Sequence, residues 1–384
     1  METQTEESSI ANDKPPGCCQ ELKAWRFELR NSIKDIEDLV KIFPLDVEEI
    51  KCLSAVVKIY PIKITPYYLS LIDKDNPDDP IAKQCIPSPK EKDLYFNAQD
   101  DPLGEEKDTV MPGLMHRYPD RALVTLTNMC PVYCRHCTRK REWQKGSWNR
   151  QDEELDKIYK YIQDHREIRD VILSGGDPLI LSTGKLENIL RNLREIQHVE
   201  IIRIGTRCPV VLPQRIDEEL VFTLKKYRPI WINTHFNHPN EITPESTQAC
   251  DRILCAGIPV NNQTVLLRGI NDEVETMTRL CQGLLKVGVR PYYLFHCDPV
   301  NGTGHLRTSI DKGLEIIKGM RGFTSGLAVP TYVVDGLDGQ GKVPLQSDYL
   351  ISREDNYCTL RGYRGEVFRY YYPEDKKHEN RYYL

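Results

Sequence analysis

The segment DRALVTLTNMCPVYCRHCTRKR, residues 120–141, joins a short apolar run to a loop with three cysteines. From this segment onward apolar runs alternate with helical patterns, which is typical of consecutive βα units around a parallel sheet. Six strands are predicted, over residues 123–130, 171–174, 199–205, 229–236, 258–267 and 289–297. Six sequential units fit either an incomplete barrel or a doubly wound sheet, and in both folds ligands bind at the carboxyl ends of the strands.

The part of the chain before this segment is predicted to be helical and then irregular. Residues 1–20 are interpreted as a frayed tail, in which the Cys18–Cys19 pair has no assigned role. Apolar residues at helical spacing predict amphipathic helices over residues 20–72. Residues 73–112 are rich in Pro, Asp and Asn, so we expect an irregular connecting arm over the surface.

The part after the sixth unit begins with one more predicted strand, residues 331–335, followed by a glycine-rich loop and a tail rich in tyrosine. Because the chain is acidic overall, the tail is interpreted as a packing or oligomer surface rather than a platform for stacking nucleotide bases. We predict three regions: an N-terminal helical region with its connecting arm (1–118), a core (119–330) and a C-terminal segment (331–384).

Length and charge narrow the classes of protein that this chain can represent. It has 384 residues, with 52 lysines and arginines against 57 aspartates and glutamates, a formal charge of -5. This balance provides no overall basic field, so no nucleic-acid partner is expected. No run approaches the roughly 18 to 20 apolar residues of a membrane helix. The thirteen cysteines are scattered, so we expect a cytoplasmic protein with reduced or metal-bound thiols and no membrane association.

The three cysteines of the opening segment are Cys130, Cys134 and Cys137, at spacings of four and three. Three thiolates on a short loop can hold three irons of a 4Fe-4S cluster, and the fourth iron is then open to a small chelating cofactor. A zinc knuckle and buried free thiols are the alternatives. Structural zinc needs a fourth ligand, and the nearest one, His136, lies inside the loop in a poor position.

A second motif, Ser174-Gly175-Gly176-Asp177, follows the second predicted strand. A glycine pair after a strand is often a plain turn, but small residues also let the backbone approach a ligand closely. The C-x3-C-x2-C loop after the first strand and this glycine motif after the second resemble the radical S-adenosylmethionine superfamily. The resemblance implies a cluster whose open iron binds S-adenosylmethionine.

A third feature is Lys342, on a loop that contains three glycines. On its own this lysine fits a solvent-exposed charge. Lysine is also the side chain that binds pyridoxal phosphate covalently, which requires an amine that its site leaves at least partly deprotonated.

With these features together, nearly the whole chain resembles the lysine 2,3-aminomutase family. The similar stretches include HRYPDRALVTLTNMCPVYCRHCTRKR, RDVILSGGD, VEIIRIGTR, NTHFNHPNEIT, NQTVLLRGIND and VPTYVVD. The resemblance implies an α/β fold, an incomplete (β/α)6 radical-SAM barrel with an N-terminal helical region and a C-terminal pyridoxal phosphate-binding segment. It also implies an isomerase that moves the α-amino group of an amino acid to the β-carbon with a 4Fe-4S cluster, S-adenosyl-L-methionine and pyridoxal 5'-phosphate.

The resemblance also assigns roles to individual residues. It implies Cys130, Cys134 and Cys137 as cluster ligands and Lys342 as the catalytic lysine. The residues implied around S-adenosylmethionine are Ser174, Gly175, Gly176, Asp177, His235 and Gln263. Those implied around pyridoxal phosphate are Lys342, Arg117, Tyr118 and Arg121. Arg139 matches the arginine that pairs with the substrate carboxylate, whereas Lys140 and Arg141 are interpreted as a solvated basic run.

Two aspartates, Asp298 and Asp335, match the positions that meet the ε-ammonium group of lysine in the family. Without the resemblance each would be interpreted as an ordinary strand-end or capping residue. Two carboxylates in one pocket repel each other unless a cation lies between them, so their joint presence favours a cationic substrate. The expected reaction is therefore the interconversion of L-lysine and β-lysine.

Several residues depart from the family's pattern. Asp338 and Gln340 interrupt the run of glycines before the pyridoxal lysine, and His296 is also unexpected. If these residues line the distal pocket, they would suit a guanidinium group, so arginine 2,3-aminomutase is the rival interpretation. Glu273 stands where a zinc-binding cysteine of some relatives is expected, and the chain ends soon after Cys358. We therefore expect no structural zinc.

Other classes of protein remain as weaker alternatives. A radical enzyme that modifies a protein or tRNA would need a macromolecule-binding surface, and it would leave the pyridoxal lysine without a role. A non-enzymatic cluster- or pyridoxal-binding protein would not need Arg139, Asp298 and Asp335 together. The resemblance further implies a one-electron reductant and a homo-oligomer, either dimer or tetramer.

Overall fold

The computed structural model describes residues 23–347 and 349–373. The Cys18–Cys19 pair, the predicted frayed tail and the end of the tyrosine-rich tail lie outside these residues. Within them, every helix is too short or too polar to span a bilayer.

Short helices form the N-terminal region: the first four lie where the apolar spacing predicted helices, and the fifth lies in the arm that was predicted to be irregular. They are α1 (Ala24–Arg30), α2 (Ile36–Val40), α3 (Val47–Val57), α4 (Pro66–Ser70) and α5 (Ala82–Cys85). Helix α3 begins with a capping box, in which the side chains of Asp46 and Glu49 each accept the other's backbone N–H. Trp25, Leu39 and Tyr68 are buried in the same apolar core as the sheet, so this region packs directly on the barrel.

Ten strands form one sheet, in which the chain order of the strands is also their spatial order. They are β1 (Thr109–Met111), β2 (Leu114–Tyr118), β3 (Arg121–Thr127), β4 (Asp170–Gly175), β5 (Ile201–Gly205), β6 (Ile230–Thr234), β7 (Val260–Leu266), β8 (Arg290–His296), β9 (Thr331–Gly336) and β10 (Gly341–Pro344). Strands β3 to β9 are mutually parallel, and β1, β2 and β10 are added antiparallel at the two ends. The six predicted strands, and the seventh after them, are therefore confirmed.

The strand order distinguishes between the two folds that the sequence left open, an incomplete barrel and a doubly wound sheet. A doubly wound sheet reverses its strand order at a switch point, and this sheet has no reversal. Tyr118 in β2 and Lys342 in β10 are far apart in the strand order, yet the Lys342 N–H donates to the Tyr118 hydroxyl at 3.1 Å. The sheet must therefore curl round on itself, which confirms the incomplete barrel.

The connections between parallel strands carry the outer helices. They are α6 (Asp152–Asp164), α7 (Thr183–Glu195), α8 (Cys208–Val211), α9 (Glu218–Lys226), α10 (Pro244–Cys255), α11 (Val274–Lys286) and α12 (Ile310–Met320). The side chains of Leu173, Ile204 and Ile232 are in register on β4, β5 and β6 and are all buried. Burial of such a layer beneath amphipathic helices stabilises the barrel by roughly 1.5–3 kcal/mol per large apolar side chain.

After β10 the chain forms a separate antiparallel sheet of three strands. These strands are β11 (Leu350–Arg353), β12 (Tyr357–Arg361) and β13 (Val367–Tyr371). Strands β9 and β10, by contrast, belong to the barrel sheet. The division of the chain at residues 118 and 330 stays a prediction.

Candidate active site

The cysteine loop follows β3 at the carboxyl end of the parallel strands. Backbone hydrogen bonds fasten it to the N-terminal region: the Tyr133 N–H donates to the Lys63 carbonyl at 2.9 Å, and the Arg135 N–H donates to the Gln84 carbonyl at 2.8 Å. Cys130, Cys134 and Cys137 are all free thiols. The helical region thus holds the loop from its outer side, and all three predicted ligands remain available.

The chemistry of this loop fits a 4Fe-4S cluster. In the described part of the chain, no group of three His, Cys, Asp or Glu side chains is placed to hold a single metal ion. Three thiols that each hold a different iron need not converge on one point. Burial, followed by the Cys134 thiol, raises the pKa of the Cys137 thiol to about 11. Ligation at this loop would therefore release thiol protons.

A buried ion cluster lies behind the loop. Glu91, which is 2% exposed, pairs with Arg135 at 2.6 Å and with the Lys140 Nζ at 2.7 Å. Lys140 also donates to the carbonyl of Gly302 at 3.0 Å. Because all these groups are withdrawn from water and paired, they fix the backbone on both sides of His136.

The prediction that Lys140 and Arg141 form a solvated run is wrong. Lys140 is 1% exposed, and Arg141 pairs with Asp101 at 3.3 Å and with Glu105 at 2.8 Å. These carboxylates come from the connecting arm, far away in the sequence. A run of like charges that looks solvated in sequence is therefore neutralised here by tertiary contacts.

The glycine motif lies directly against the cysteine loop. A Cβ atom on Gly176 would lie 2.1 Å from the Met129 carbonyl oxygen, and one on Gly175 would lie 2.3 Å from the Thr127 carbonyl oxygen. Gly175 also has a φ of +117°, which favours glycine. The turn after β4 thus requires glycine for its approach to the backbone before Cys130.

Asp177 directs its carboxylate to the loop after β5. It is 3% exposed and accepts hydrogen bonds from the Thr206 hydroxyl at 2.7 Å and the Arg207 N–H at 2.8 Å. Burial raises the pKa of this carboxyl, and these hydrogen bonds oppose the rise. Asp177 therefore fastens the glycine turn to the loop after β5, and its contact with S-adenosylmethionine stays a prediction.

His235 and Gln263 lie side by side at the ends of β6 and β7. The His235 Nδ1 donates to the Gln263 carbonyl at 2.8 Å. Burial, and then the charge of Arg207, lowers the pKa of His235 to about 4, so its ring is neutral and Nε2 is an acceptor. The structure thus brings together two of the residues predicted to lie near S-adenosylmethionine.

Arg207 connects these residues to the cysteine loop. Its Nη1 donates to the Cys134 Sγ at 2.7 Å, its Nε donates to the His235 carbonyl at 3.1 Å, and its Nη2 pairs with Glu241 at 2.6 Å. The residue-level analysis of the sequence did not single out Arg207. The only available signal was its place in VEIIRIGTR, one of the stretches that resemble the family.

Arg139 extends from the cysteine loop to the glycine motif. Its Nη1 donates to the Ser174 hydroxyl at 3.2 Å and to the Gly175 carbonyl at 3.3 Å. On its other side it pairs with Glu105, 2.5 Å away. One continuous surface is therefore formed by the cysteine loop, the glycine motif and the arginine that is predicted to bind the substrate carboxylate.

Lys342 lies on β10 beside its register partner on β9, Asp335. The Lys342 Nζ donates to the Asp335 Oδ1 at 2.8 Å and lies 5.1 Å from the centre of the Phe295 ring. Its side chain is 37% exposed. A lysine that is reachable, paired with a carboxylate and next to an aromatic ring fits a pyridoxal phosphate site.

Asp298 follows β8 and lies near Asp335 and Lys342. Burial, followed by the charge of Asp335, raises the pKa of Asp298 to about 7, while Lys342 opposes the rise. The Lys342 ammonium therefore pairs with Asp335 and offsets part of the charge repulsion that acts on Asp298. If Lys342 held pyridoxal phosphate, its amine would no longer be an ammonium paired with Asp335, and the two carboxylates would be open to another cation.

The residues predicted to surround pyridoxal phosphate lie on the hairpin of β2 and β3. The Tyr118 hydroxyl accepts the Lys342 N–H, and the Arg121 guanidinium stacks 4.2 Å from the Tyr118 ring centre. Arg117 instead pairs with Asp108. Tyr118 and Arg121 are thus brought to the lysine, while Arg117 is held by a carboxylate of the arm.

Two of the residues that depart from the family pattern have defined positions. His296 donates or accepts through Nδ1 at 2.9 Å from the Tyr332 hydroxyl, on the face opposite to Phe295, because successive strand residues alternate. His296 therefore does not line the pocket. Asp338 has a φ of +52°, a conformation that favours glycine but tolerates Asp, which explains how it replaces a glycine of this loop.

Fold and site together define a radical S-adenosylmethionine enzyme. A Radical SAM superfamily model matches residues 124–281, and a Lysine-2,3-aminomutase model matches residues 317–383. The L-lysine 2,3-aminomutase of Clostridium subterminale is 51% identical, over 91% of this chain and 84% of that protein. The L-lysine 2,3-aminomutase of Bacillus subtilis is 46% identical, over 91% and 74%. The glutamate 2,3-aminomutase of Clostridioides difficile is 44% identical, over 92% and 83%.

The chain belongs to the lysine 2,3-aminomutase family. It is therefore an isomerase whose cofactors are a 4Fe-4S cluster, S-adenosylmethionine and pyridoxal phosphate.

Proposed function

We propose that this protein interconverts L-lysine and β-lysine by moving the α-amino group to the β-carbon. The observation that supports this substrate most directly is the pair of Asp298 and Asp335 beside Lys342. Asp335 is buried and Asp298 is half-buried, and the pKa of Asp298 is raised to about 7. Such a pair of carboxylates gains most from a ligand that brings a positive charge. A side chain that ends in a carboxylate would add a third negative charge to the same pocket.

The protein's own residues bind and orient the reactants. When bound, the cluster and S-adenosylmethionine supply a radical that takes a hydrogen atom from the β-carbon, and pyridoxal phosphate carries the migrating amine. Arg139 pairs with the α-carboxylate at one end of the substrate, and Asp298 and Asp335 meet the ε-ammonium group at the other. Holding both ends fixes the β-carbon in position, and the barrel excludes water and oxygen from it.

The remaining assignments are part of the same proposal. We infer that Cys130, Cys134 and Cys137 hold the cluster, that Ser174 to Asp177, His235 and Gln263 surround S-adenosylmethionine, and that Arg117, Tyr118 and Arg121 surround the pyridoxal phosphate held by Lys342. The proposal includes a cytoplasmic location, a one-electron reductant and a homo-oligomer, dimer or tetramer.

Anaerobic turnover of the reconstituted protein tests the substrate. L-Lysine, L-arginine and L-glutamate are offered separately with S-adenosylmethionine, pyridoxal phosphate and dithionite, and β-amino acids are separated by chiral chromatography. β-Lysine as the dominant product supports the proposal, and dominant β-arginine would replace lysine by arginine as the substrate. Formation of β-glutamate, or of no product, would overturn the role of the paired aspartates.

A Cys134→Ala variant tests the cluster assignment in the same assay. We expect no cleavage of S-adenosylmethionine, because one of three protein ligands is lost. Cys255→Ala, which removes an exposed cysteine of α10, is the matched control and should retain cleavage. Formation of 5'-deoxyadenosine by the Cys134→Ala variant would contradict the assignment.

A further inference from the structure

Glu105 is a buried acid of the connecting arm that no sequence pattern singled out. The residue is 8% exposed, and both carboxylate oxygens accept hydrogen bonds from Arg139, one from Nε at 3.0 Å and one from Nη2 at 2.5 Å. It also accepts a hydrogen bond from Arg141 at 2.8 Å. Two guanidinium groups therefore compensate for the burial of this carboxylate.

The N–H groups of Arg139 are divided between two sides. Nε and one hydrogen of Nη2 are taken by Glu105, while Nη1 faces Ser174 and Gly175. A guanidinium group can bind a carboxylate through its Nε/Nη2 side or through its Nη1/Nη2 edge. Glu105 occupies the Nε/Nη2 side of Arg139. The guanidinium group therefore presents its Nη1/Nη2 edge to the glycine motif.

We propose that Glu105 is a positioning residue, which fixes the Arg139 guanidinium so that its Nη1/Nη2 edge binds the α-carboxylate of the substrate. This inference rests on the proposed function, in which Arg139 binds that carboxylate. Glu105 does not touch the substrate, and it acts only through Arg139.

Burial opposes ionisation of Glu105, yet Arg139 and Arg141 hold its pKa at about 2. The Glu105 carboxylate is therefore charged throughout the pH range in which the enzyme works, and its ion pair with Arg139 persists over that range. A protonation change does not release it.

The backbone around Glu105 is also fastened on the side of the pyridoxal lysine. The Asp338 N–H donates to the Pro102 carbonyl at 3.0 Å, and a Cβ on Gly104 would lie 3.0 Å from the Asp338 carbonyl carbon. The segment 102–105 thus connects the carboxylate-binding arginine to the loop before Lys342. This segment therefore sets the distance between Arg139 at one end of the site and the loop before Lys342 at the other.

The matched control is the next residue, Glu106. It carries the same charge on the same segment but is exposed. Glu105→Ala and Glu106→Ala therefore differ in the contact with Arg139 and not in net charge.

Binding without turnover provides the test. Holoenzyme with S-adenosylmethionine but no reductant is titrated with L-lysine or L-lysinamide, and the pyridoxal absorbance reports the Kd. For Glu105→Ala we expect the Kd of L-lysine to rise about tenfold, which is about 1.4 kcal/mol, and that of L-lysinamide to stay within about twofold, because it has no carboxylate. Glu106→Ala should match the wild type for both ligands.

Two further variants keep the test independent of folding. Glu105→Gln retains the shape and one acceptor, so we expect an intermediate rise of about threefold in the Kd of L-lysine. In an Arg139→Ala background, Glu105→Ala should add no further weakening. Equal weakening for both ligands, additive effects of the two substitutions, or an unchanged Kd for Glu105→Ala would overturn the inference. Absence of β-amino acids from the wild type would instead overturn the proposed function, since the binding comparison requires no turnover.

Discussion

At the residue scale, the distal end of the site depends on two neighbouring carboxylates, of which one is paired with a cation. Asp335 pairs directly with Lys342, while Asp298 is half-buried near both and has its pKa raised to about 7. The charge state of Asp298 therefore changes within the range in which enzymes operate. Both the stability of the protein and its affinity for a cation should follow that change.

An Asp298→Asn substitution should remove a pH dependence of stability. A carboxyl group whose pKa is higher in the folded than in the unfolded state favours folding at low pH, and this contribution disappears as the pH rises through the folded pKa. Relative to Asp298→Asn, the wild type should therefore lose on the order of 2–4 kcal/mol between pH 4 and pH 7 and remain level above it. Urea unfolding of the cofactor-free protein at several pH values measures this. A constant difference between wild type and variant at all pH values would contradict it.

In the wild type, the affinity for L-lysine should change with pH in the opposite direction to the stability. Because an ammonium ligand binds the ionised form of Asp298, the KM should fall as the pH rises from about 6 to 8. Asp164→Asn, which changes an exposed residue of α6, should leave that profile unaltered, and Asp298→Asn should flatten it. A pH-independent KM in the wild type would argue that Asp298 does not meet the ammonium group.

The buried Glu91 provides a second prediction at this scale. Removing its charge leaves Arg135 and Lys140 buried without a charged partner, which typically costs 3–5 kcal/mol. We expect Glu91→Gln to lower the free energy of unfolding by about that amount, measured by urea denaturation under reducing conditions. Glu106→Gln, on the surface, should change it by less than about 0.5 kcal/mol. Similar values for the two variants would show that the ion cluster does not stabilise the fold.

At the element scale, the turn after β4 and the cysteine loop after β3 are packed backbone against backbone. Each contributes to the position of the other, since Gly176 leaves no room for a side chain against Met129. The neighbouring βα units are therefore coupled at the point where the cluster is expected.

Gly176→Ala should displace the cysteine loop. Its Cβ would lie 2.1 Å from the Met129 carbonyl oxygen, so backbone must move, and we expect iron content after reconstitution to fall to less than half of the wild-type value. Gly184→Ala is the control, because no atom lies within 4 Å of its Cβ position at the start of α7. That variant should keep its iron and gain about 0.5–1 kcal/mol in stability. Full iron incorporation in Gly176→Ala would contradict the close packing.

At the scale of the whole molecule, the barrel brings β2 and β10 together across the ends of the sheet. The hydrogen bond from the Lys342 N–H to the Tyr118 hydroxyl is one contact of this meeting. It places the predicted pyridoxal lysine against the hairpin of β2 and β3.

Tyr118→Phe should weaken this contact without removing the ring. We expect a loss of about 1 kcal/mol in stability and a several-fold rise in the Kd of pyridoxal phosphate, followed by its absorbance. Tyr370→Phe, on the exposed strand β13, should alter neither. If both variants bind pyridoxal phosphate like the wild type, the Tyr118 hydroxyl does not hold the strand that carries Lys342.

The sequence by itself determined the order of elements and the chemistry of the main groups. Alternating apolar runs predicted the parallel strands because side-chain period is a local property of the chain. Three further motifs are local as well, so they were visible without a fold: the spacing of Cys130, Cys134 and Cys137, the Gly175–Gly176 pair after a predicted strand, and the glycines before Lys342. The resemblance to a family then supplied the cofactors, and the comparisons confirmed that family.

Only the tertiary structure decided which charges meet. The pairing of Glu105 with Arg139 spans 34 positions of the chain, and that of Arg207 with Cys134 spans 73. No periodicity encodes such partners, because they are brought together by the curling of the sheet and the path of the connecting arm. For the same reason Lys140 looked solvated in the sequence and is buried in the structure. Local pattern determined which groups this protein carries, and long-range packing determined what each of them faces.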